Sequence, residues 1–261
     1  MIIFLFIVIG LVTGLLAGLL GIGGGIISVP SMFYILHLLK NKPDNLMQIC
    51  VATALATTLI TSLGSTISHH KKKTHLPHVL KIVVPGLVVG CILGAIGSTF
   101  LSSRSLQFFF GTISILFAVY FFFPKLPQMN IAPHPNRSLS LFGVLIGILS
   151  SLLGVGGGIF LIPVFLGYQI SLHNTVASSS ASTLATALAG TIIYLYLGFD
   201  QPTMPYTIGY IYVPGVLLMG ISSLLTTSTG VKLAHILPPT VTKRLFSVVL
   251  VLTGLSMIFL K

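Results

Sequence analysis

Two apolar stretches in this chain are too long for one membrane crossing and too rich in glycine to be one helix. This combination restricts the fold more than any other feature. Residues 2–39 contain Gly18-Leu-Leu-Gly-Ile-Gly-Gly-Gly-Ile-Ile-Ser-Val-Pro30, and residues 138–168 contain Leu152-Leu-Gly-Val-Gly-Gly-Gly-Ile-Phe-Leu-Ile-Pro163. Gly21, Gly23, Gly24, Gly25 and Pro30 match Gly154, Gly156, Gly157, Gly158 and Pro163 at one constant offset of 133 residues. Glycine runs make poor helix. Non-helical backbone at membrane depth is tolerated only where it is buried in protein or lines a cavity. The spacing therefore predicts two copies of one unit, each built around a broken membrane helix.

Composition supports the membrane setting. Hydrophobic residues make up 54% of the chain and charged residues 6%, with mean hydropathy +1.08, whereas soluble domains carry about a quarter charged residues. Apolar runs fall at 2–39, 46–68, 79–101, 105–123, 138–168, 173–198, 208–229 and 241–260. Most are close to the roughly 20 residues of a spanning helix. The net charge of +11 sits in short loops between these runs, where it reads as a topology signal and a contact to anionic lipid rather than to nucleic acid. The apolar start, with no basic region before it, does not resemble a removable signal peptide. Cys50 and Cys91 lie in apolar surroundings, as small buried hydrophobes do, and supply no disulfide framework.

The glycine runs admit two arrangements, an interrupted crossing or a re-entrant hairpin. The limbs 4–20 and 26–38 would reach about 25 Å and 20 Å, each short of a hydrocarbon layer of about 30 Å. Interrupted crossings split the Lys and Arg residues seven against six, whereas hairpins split them nine against four. Cytoplasmic loops carry the excess, so hairpins are expected, with both termini outside the cytoplasm. The two repeats would then run in opposite senses, as in many secondary transporters.

The expected fold is thus an all-α, multi-pass protein of the plasma (bacterial inner) membrane. It has a first repeat over 1–123, a Pro- and Asn-rich linker over 124–137 and a second repeat over 138–261. Each repeat has a glycine-broken segment followed by three transmembrane helices. Gly10, Gly14 and Gly18 recur every fourth residue and form a smooth face for another helix. Val84-Pro-Gly matches Val213-Pro-Gly at an offset of 129, which extends the duplication.

Neither glycine run has the spacing of a dinucleotide fingerprint or the Lys-Ser/Thr end of a P-loop. What each can offer is a set of amide N–H groups at the start of a helix, which attract anions without a basic side chain. The alternative is that these glycines serve only tight turning and close packing. Thr53, Thr57 and Thr61 match Ser178, Ser182 and Thr186 at an offset of 125, and Thr58 matches Thr183. A spacing of four places each trio on one helical face. Those hydroxyls either donate to an oxyanion or bond back to their own helices.

Asp44 and Asp200 are the only carboxylates, and both fall in loops. With no acid in the membrane, a cation pump, an intramembrane aspartyl protease and a His-Glu-x-x-His zinc enzyme are all disfavoured. The histidines between His69 and His78 lack acidic or thiol companions in their loop and fit a solvated cytoplasmic loop. His173 reads as a helix-entry residue with a conceivable part in proton coupling. Tyr194 and Tyr196 fit an interfacial belt.

The paired Leu-Leu-Gly-Ile/Val-Gly-Gly-Gly-Ile motifs, with Val51-Ala-Thr, Val176-Ala-Ser and the His69 loop, make the chain resemble the TauE/SafE family over its whole length. The resemblance implies a transporter of sulfur-containing anions such as sulfite, sulfoacetate or another organosulfonate. The expected mechanism is secondary transport by alternating access. Where that family often has a Thr-Ser pair, Thr53 is followed here by Ala54, and Ser178-Ser179 stands in the second copy. A passive anion channel and a membrane scaffold without transport are the alternatives. The expected binding set is Gly21, Gly23, Gly24, Gly25, Thr53, Thr57, Gly154, Gly156, Gly157, Gly158, Ser178 and Ser182. A sulfur-containing anion and membrane lipid are the expected partners, with room for a coupled proton and a homodimer. No cofactor, catalytic residue, metal ligand or nucleic acid is expected.

Overall fold

The computed structural model describes residues 2–37, 43–70, 77–123, 137–168, 172–201 and 204–259. Most of the expected linker, the loop beyond His70 and most of the polar turn after His37 lie outside the described residues. So do the side chains of His70, His78 and His173.

Five helices precede the linker: α1 (Ile2–Leu20), α2 (Gly25–His37), α3 (Leu46–His70), α4 (Pro77–Ser98) and α5 (Ser103–Phe122). Five follow it: α6 (Arg137–Leu153), α7 (Gly158–Gly167), α8 (Leu172–Leu197), α9 (Val213–Ile236) and α10 (Pro239–Phe259). Among the described residues, seven of these are long and apolar enough to cross a membrane, and α2, α6 and α7 are shorter apolar helices. The protein is therefore an all-α membrane protein. Large apolar side chains such as Phe4, Leu116, Leu141, Leu225 and Leu252 are exposed around its outside, as lipid contact requires. Helix α3 is the central element, far more buried than any other spanning helix.

Each glycine run turns the chain back on itself. Gly24 lies against Thr13 and Ala17 of α1, and further along Pro30 and Tyr34 of α2 face Leu5 and Ile9 of α1 across one cavity. Helix α2 thus runs back beside α1. Gly157 meets Ser150 of α6 in the same way. The hairpin anticipated from the distribution of basic residues is the geometry observed.

Packing between the two groups of five is reciprocal. Gly10, Gly14 and Gly18 of α1 meet α9 at Met219–Ser222, Ser223–Thr226 and Thr227–Val231, so these helices run parallel. Gly86, Gly90 and Gly94 of α4 meet α6 at Ser140, Val144 and Ile148, again parallel. In lipid no hydrophobic force drives helices together, so close backbone approach over small residues must supply the attraction. The expected glycine face on α1 is used in this way.

Helices α5 and α10 pack antiparallel. Gln107 Nε2 donates to the Met257 carbonyl at 2.7 Å, Ser247 Oγ donates to that of Ala118 at 2.7 Å, and Phe121 meets Phe246 edge-to-face.

Three details depart from expectation. His69, expected in a solvated loop, lies within α3, buried and with its ring 5.8 Å from that of His235. The apolar run starting at residue 208 is not helical from the outset. Thr207–Ile208 (β1) and Ile211–Tyr212 (β2) form a two-stranded turn, and α9 begins only at Val213, so Pro214 sits at a helix start. Its counterpart Pro85 lies inside α4. Tyr194 is wholly buried, with its hydroxyl donating to the Ser151 carbonyl at 3.0 Å, and is not an interfacial residue. Tyr196 next to it is exposed.

Candidate functional site

The two glycine bends meet at the centre of the molecule, between α3 and α8. Gly21, Gly23 and Gly24 adopt φ of 68°, 75° and 85°, and Gly154, Gly156 and Gly157 adopt 69°, 69° and 84°. This left-handed region costs other residues about 1–2 kcal/mol each, so glycine is needed here for conformation. Gly25 and Gly158 need no such φ; they are glycines because each touches the opposite bend. A Cβ on Gly25 would strike the Gly154 carbonyl, and one on Gly158 would lie 2.8 Å from the Gly21 carbonyl oxygen.

The exchange is reciprocal throughout. Gly21 packs on Val176 of α8, and Gly154 packs on Val51 of α3. Gly23 and Gly156 both face the methyl groups of Thr58 and Thr183. Each bend is then tied to the second helix after it, α3 for the first and α8 for the second. Thr61 Oγ1 donates to the Gly23 carbonyl at 2.6 Å, and Thr186 Oγ1 donates to the Gly156 carbonyl. Part of the expected hydroxyl stripe thus serves to hold the bends in place.

Backbone donors are left over. Gly21 N–H pairs with the Ala17 carbonyl and Val155 N–H with that of Ser150. Among the described residues, no protein acceptor meets the N–H groups of Ile22, Gly23, Gly24, Gly156 or Gly157. Helices α2 and α7 begin directly after these bends, adding the positive ends of their dipoles and the unpaired N–H groups of a first turn.

The hydroxyls divide into two sets. Thr53 Oγ1 donates to the Ile49 carbonyl at 2.6 Å and accepts from Tyr212 N–H at 2.9 Å, while Thr57 donates to the Thr53 carbonyl at 2.9 Å. Their protons are engaged within α3, as the back-bonding alternative predicts. Ser178, on α8, is fully buried. By contrast, the hydroxyls of Thr58, Ser182 and Thr183 are buried with no hydrogen-bond partner among the described residues.

Thr58 and Thr183 are the matched pair that stands between the two bends, and the binding set expected from spacing did not include them. A Cβ on Gly158 would lie 2.7 Å from Thr183 Oγ1, which places that oxygen at the start of α7. The available signal was their equivalence at an offset of 125; the direction in which each hydroxyl points is not encoded in spacing.

The bends and their surroundings are buried along their whole length. Asp44 and Asp200 are exposed and far along the chain from them. No group of three His, Cys, Asp or Glu side chains placed to hold a metal occurs among the described residues. Cys50 and Cys91 are buried free thiols, and Cys91 Sγ donates to the Thr186 carbonyl at 3.3 Å.

A family model, sulfite exporter TauE/SafE, matches residues 6–257. The chain belongs to the TauE/SafE family. It is 30% identical to a probable membrane transporter protein of Haemophilus influenzae, over 99% of this chain and 98% of the relative. It is also 30% identical to a probable membrane transporter protein of Methanocaldococcus jannaschii, over 97% and 94% respectively. The similarity to the probable membrane transporter protein YunE of Bacillus subtilis is 26%, covering 73% of this chain and 80% of that one. No solved structure matches. This TauE/SafE protein is accordingly a multi-pass membrane transporter.

Proposed function

We propose that this TauE/SafE protein is a secondary transporter of a small sulfur-containing anion, sulfite or an organosulfonate such as sulfoacetate. The anion binds between the twin glycine bends. The observation that carries this reading is the set of unpaired donors there: the N–H groups of both bends together with the free hydroxyls of Thr58, Ser182 and Thr183. Each buried hydroxyl without a partner costs about 1–3 kcal/mol. An oxyanion accepts from N–H and O–H alike, and the two helix starts favour its charge. The absence of a carboxylate from these surroundings removes the group that would repel it or favour a cation instead.

Gly21, Gly23, Gly24 and Gly25, with Gly154, Gly156, Gly157 and Gly158, form the cradle. Ser182, Thr58 and Thr183 add hydroxyl donors, while Thr53, Thr57 and Ser178 shape the adjoining wall. We infer further that the halves 1–123 and 138–261 are inverted repeats. The antiparallel pairing of α5 with α10 and the reciprocal exchange of α1 and α6 support this relation. Two inverted halves around one buried site give alternating access by rocking one half on the other.

Uptake of labelled sulfite and sulfoacetate into proteoliposomes tests the reading. Saturable flux is expected. Absence of flux for every sulfur anion would overturn it, and non-saturating conductance would identify a channel.

A further inference from the structure

Two cationic residues occupy matching places on the two fifth helices. Ser103, Arg104 and Gln107 of α5 line an open recess of about 470 Å³ together with Phe33 and His37 of α2 and Leu46 of α3. Thr242, Lys243 and Phe246 of α10 line a much narrower cavity of about 20 Å³ with Ile162 of α7 and Val176 of α8. The spacing is identical in both trios, at an offset of 139. Each crevice therefore touches the hairpin limb, the third helix and the fifth helix of one half, and the narrow one is lined as well by Leu20 of α1 and Phe121 of α5.

Helices α5 and α10 are antiparallel, with Gln107 beside Met257 and Phe121 beside Phe246. Arg104 and Lys243 thus stand at opposite ends of the helix pair. The narrow cavity also touches Leu20, the residue before Gly21, and Val176 is the residue on which Gly21 packs. Lys243 is half-buried and, among the described residues, makes no ion pair and no hydrogen bond. An ammonium group in such a crevice raises the local concentration of anions beside the residues that flank the bend.

We propose that Lys243 and Arg104 are the capture residues of the two mouths of the anion pathway. Each draws an oxyanion into the crevice on its own face of the membrane, the Arg104 mouth open and the Lys243 mouth nearly closed in this conformation. The same chemistry would also attract a lipid phosphate, which the choice of vesicle distinguishes. This inference rests on the anion-transport reading above.

The test measures influx and efflux of labelled sulfite in proteoliposomes of uniform protein orientation, made from neutral phosphatidylcholine alone and with added phosphatidylglycerol. Lys243→Gln should raise KM about fivefold to tenfold for sulfite presented at one face only, with Vmax within about twofold. Arg104→Gln should do the same at the opposite face. Lys243→Arg and Arg104→Lys should restore most of the affinity.

Unchanged KM at both faces with active wild-type protein overturns this inference and leaves the transport reading standing. Equal shifts at both faces from either variant also overturn it. A shift that vanishes in neutral vesicles assigns the residues to lipid contact instead. No sulfite flux from the wild type removes the transport reading and this inference with it.

Discussion

The hydroxyl of Thr61 lies 2.6 Å from the carbonyl oxygen of Gly23, 38 residues earlier in the chain. That bond fastens a left-handed bend whose one side chain is Ile22 to α3, the most buried of the spanning helices, and Thr186 fastens Gly156 to α8. Thr61→Val keeps the shape of the side chain and strips the donor, leaving a buried carbonyl unmatched. A loss of about 1–3 kcal/mol follows. Thermal unfolding in detergent should show a lower Tm for Thr61→Val and for Thr186→Val, and sulfite flux should fall in both. A Tm equal to the wild type would mean that the bends hold their shape without these bonds.

Glycine substitutions should separate conformation from space. Gly23 has φ of 75°, and an added Cβ would run into Thr58 and Thr183, the latter at 2.6 Å. Gly23→Ala should therefore lower stability by at least the 1–2 kcal/mol or so of the left-handed region and abolish transport. Gly97, inside α4, has ordinary helical φ and nothing within 4 Å of an added Cβ. Gly97→Ala should raise stability by up to about 1 kcal/mol through helix propensity alone and leave flux intact. Equal behaviour of the two variants in a melting and flux assay would contradict this division.

Thr58 and Thr183 allow a sharper separation of binding from folding. Their hydroxyls are buried and without partners, whereas their methyl groups pack on both bends. Val keeps the packing and removes the hydroxyl. Stability should stay level or rise by about 1 kcal/mol, because a costly buried polar group is gone. If the hydroxyls donate to an anion, a hydrogen bond to a charged group worth about 1.5–3 kcal/mol is lost, and KM for sulfite should rise about tenfold or more. A KM equal to the wild type in Thr58→Val and Thr183→Val would take these residues out of the site.

The architecture was legible because its determinants are periodic or additive. Apolar runs gave the spanning helices, and the Lys and Arg count favoured hairpins because topology responds to summed loop charge. The spacing of Gly10, Gly14 and Gly18 gave a packing face, although α9 as its partner is a tertiary fact no local pattern holds. The turn at 207–212 was hidden inside an apolar run, since Ile208 and Ile211 serve a short strand pair as readily as a helix. Tyr194 looked interfacial from its place near a helix end, but its burial depends on α6, which supplies the Ser151 carbonyl. In the site, spacing of four found the stripe of Thr53, Thr57 and Thr61, and rotamers decided the rest. Thr53 and Thr57 turn their protons to their own helix, whereas Thr58, off the stripe, does not.

The two parallel glycine contacts between the halves provide a last test, of how the halves are joined. Gly14 of α1 approaches the α9 backbone, with an added Cβ only 2.6 Å from the Ser223 carbonyl carbon, and Gly90 of α4 approaches α6, at 2.7 Å from that of Val144. The obstacle in both cases is backbone, which cannot swing aside, so alanine must push the helices apart. Overpacking of this kind costs about 1–3 kcal/mol. The two sites share no partner, and effects at independent sites add within about 0.5 kcal/mol. Gly14→Ala and Gly90→Ala should therefore each lower Tm in detergent, and the double variant should show the sum. A double variant no worse than either single one would mean that one broken seam already releases the other, so that the halves dock as a single cooperative unit instead of through two separate seams.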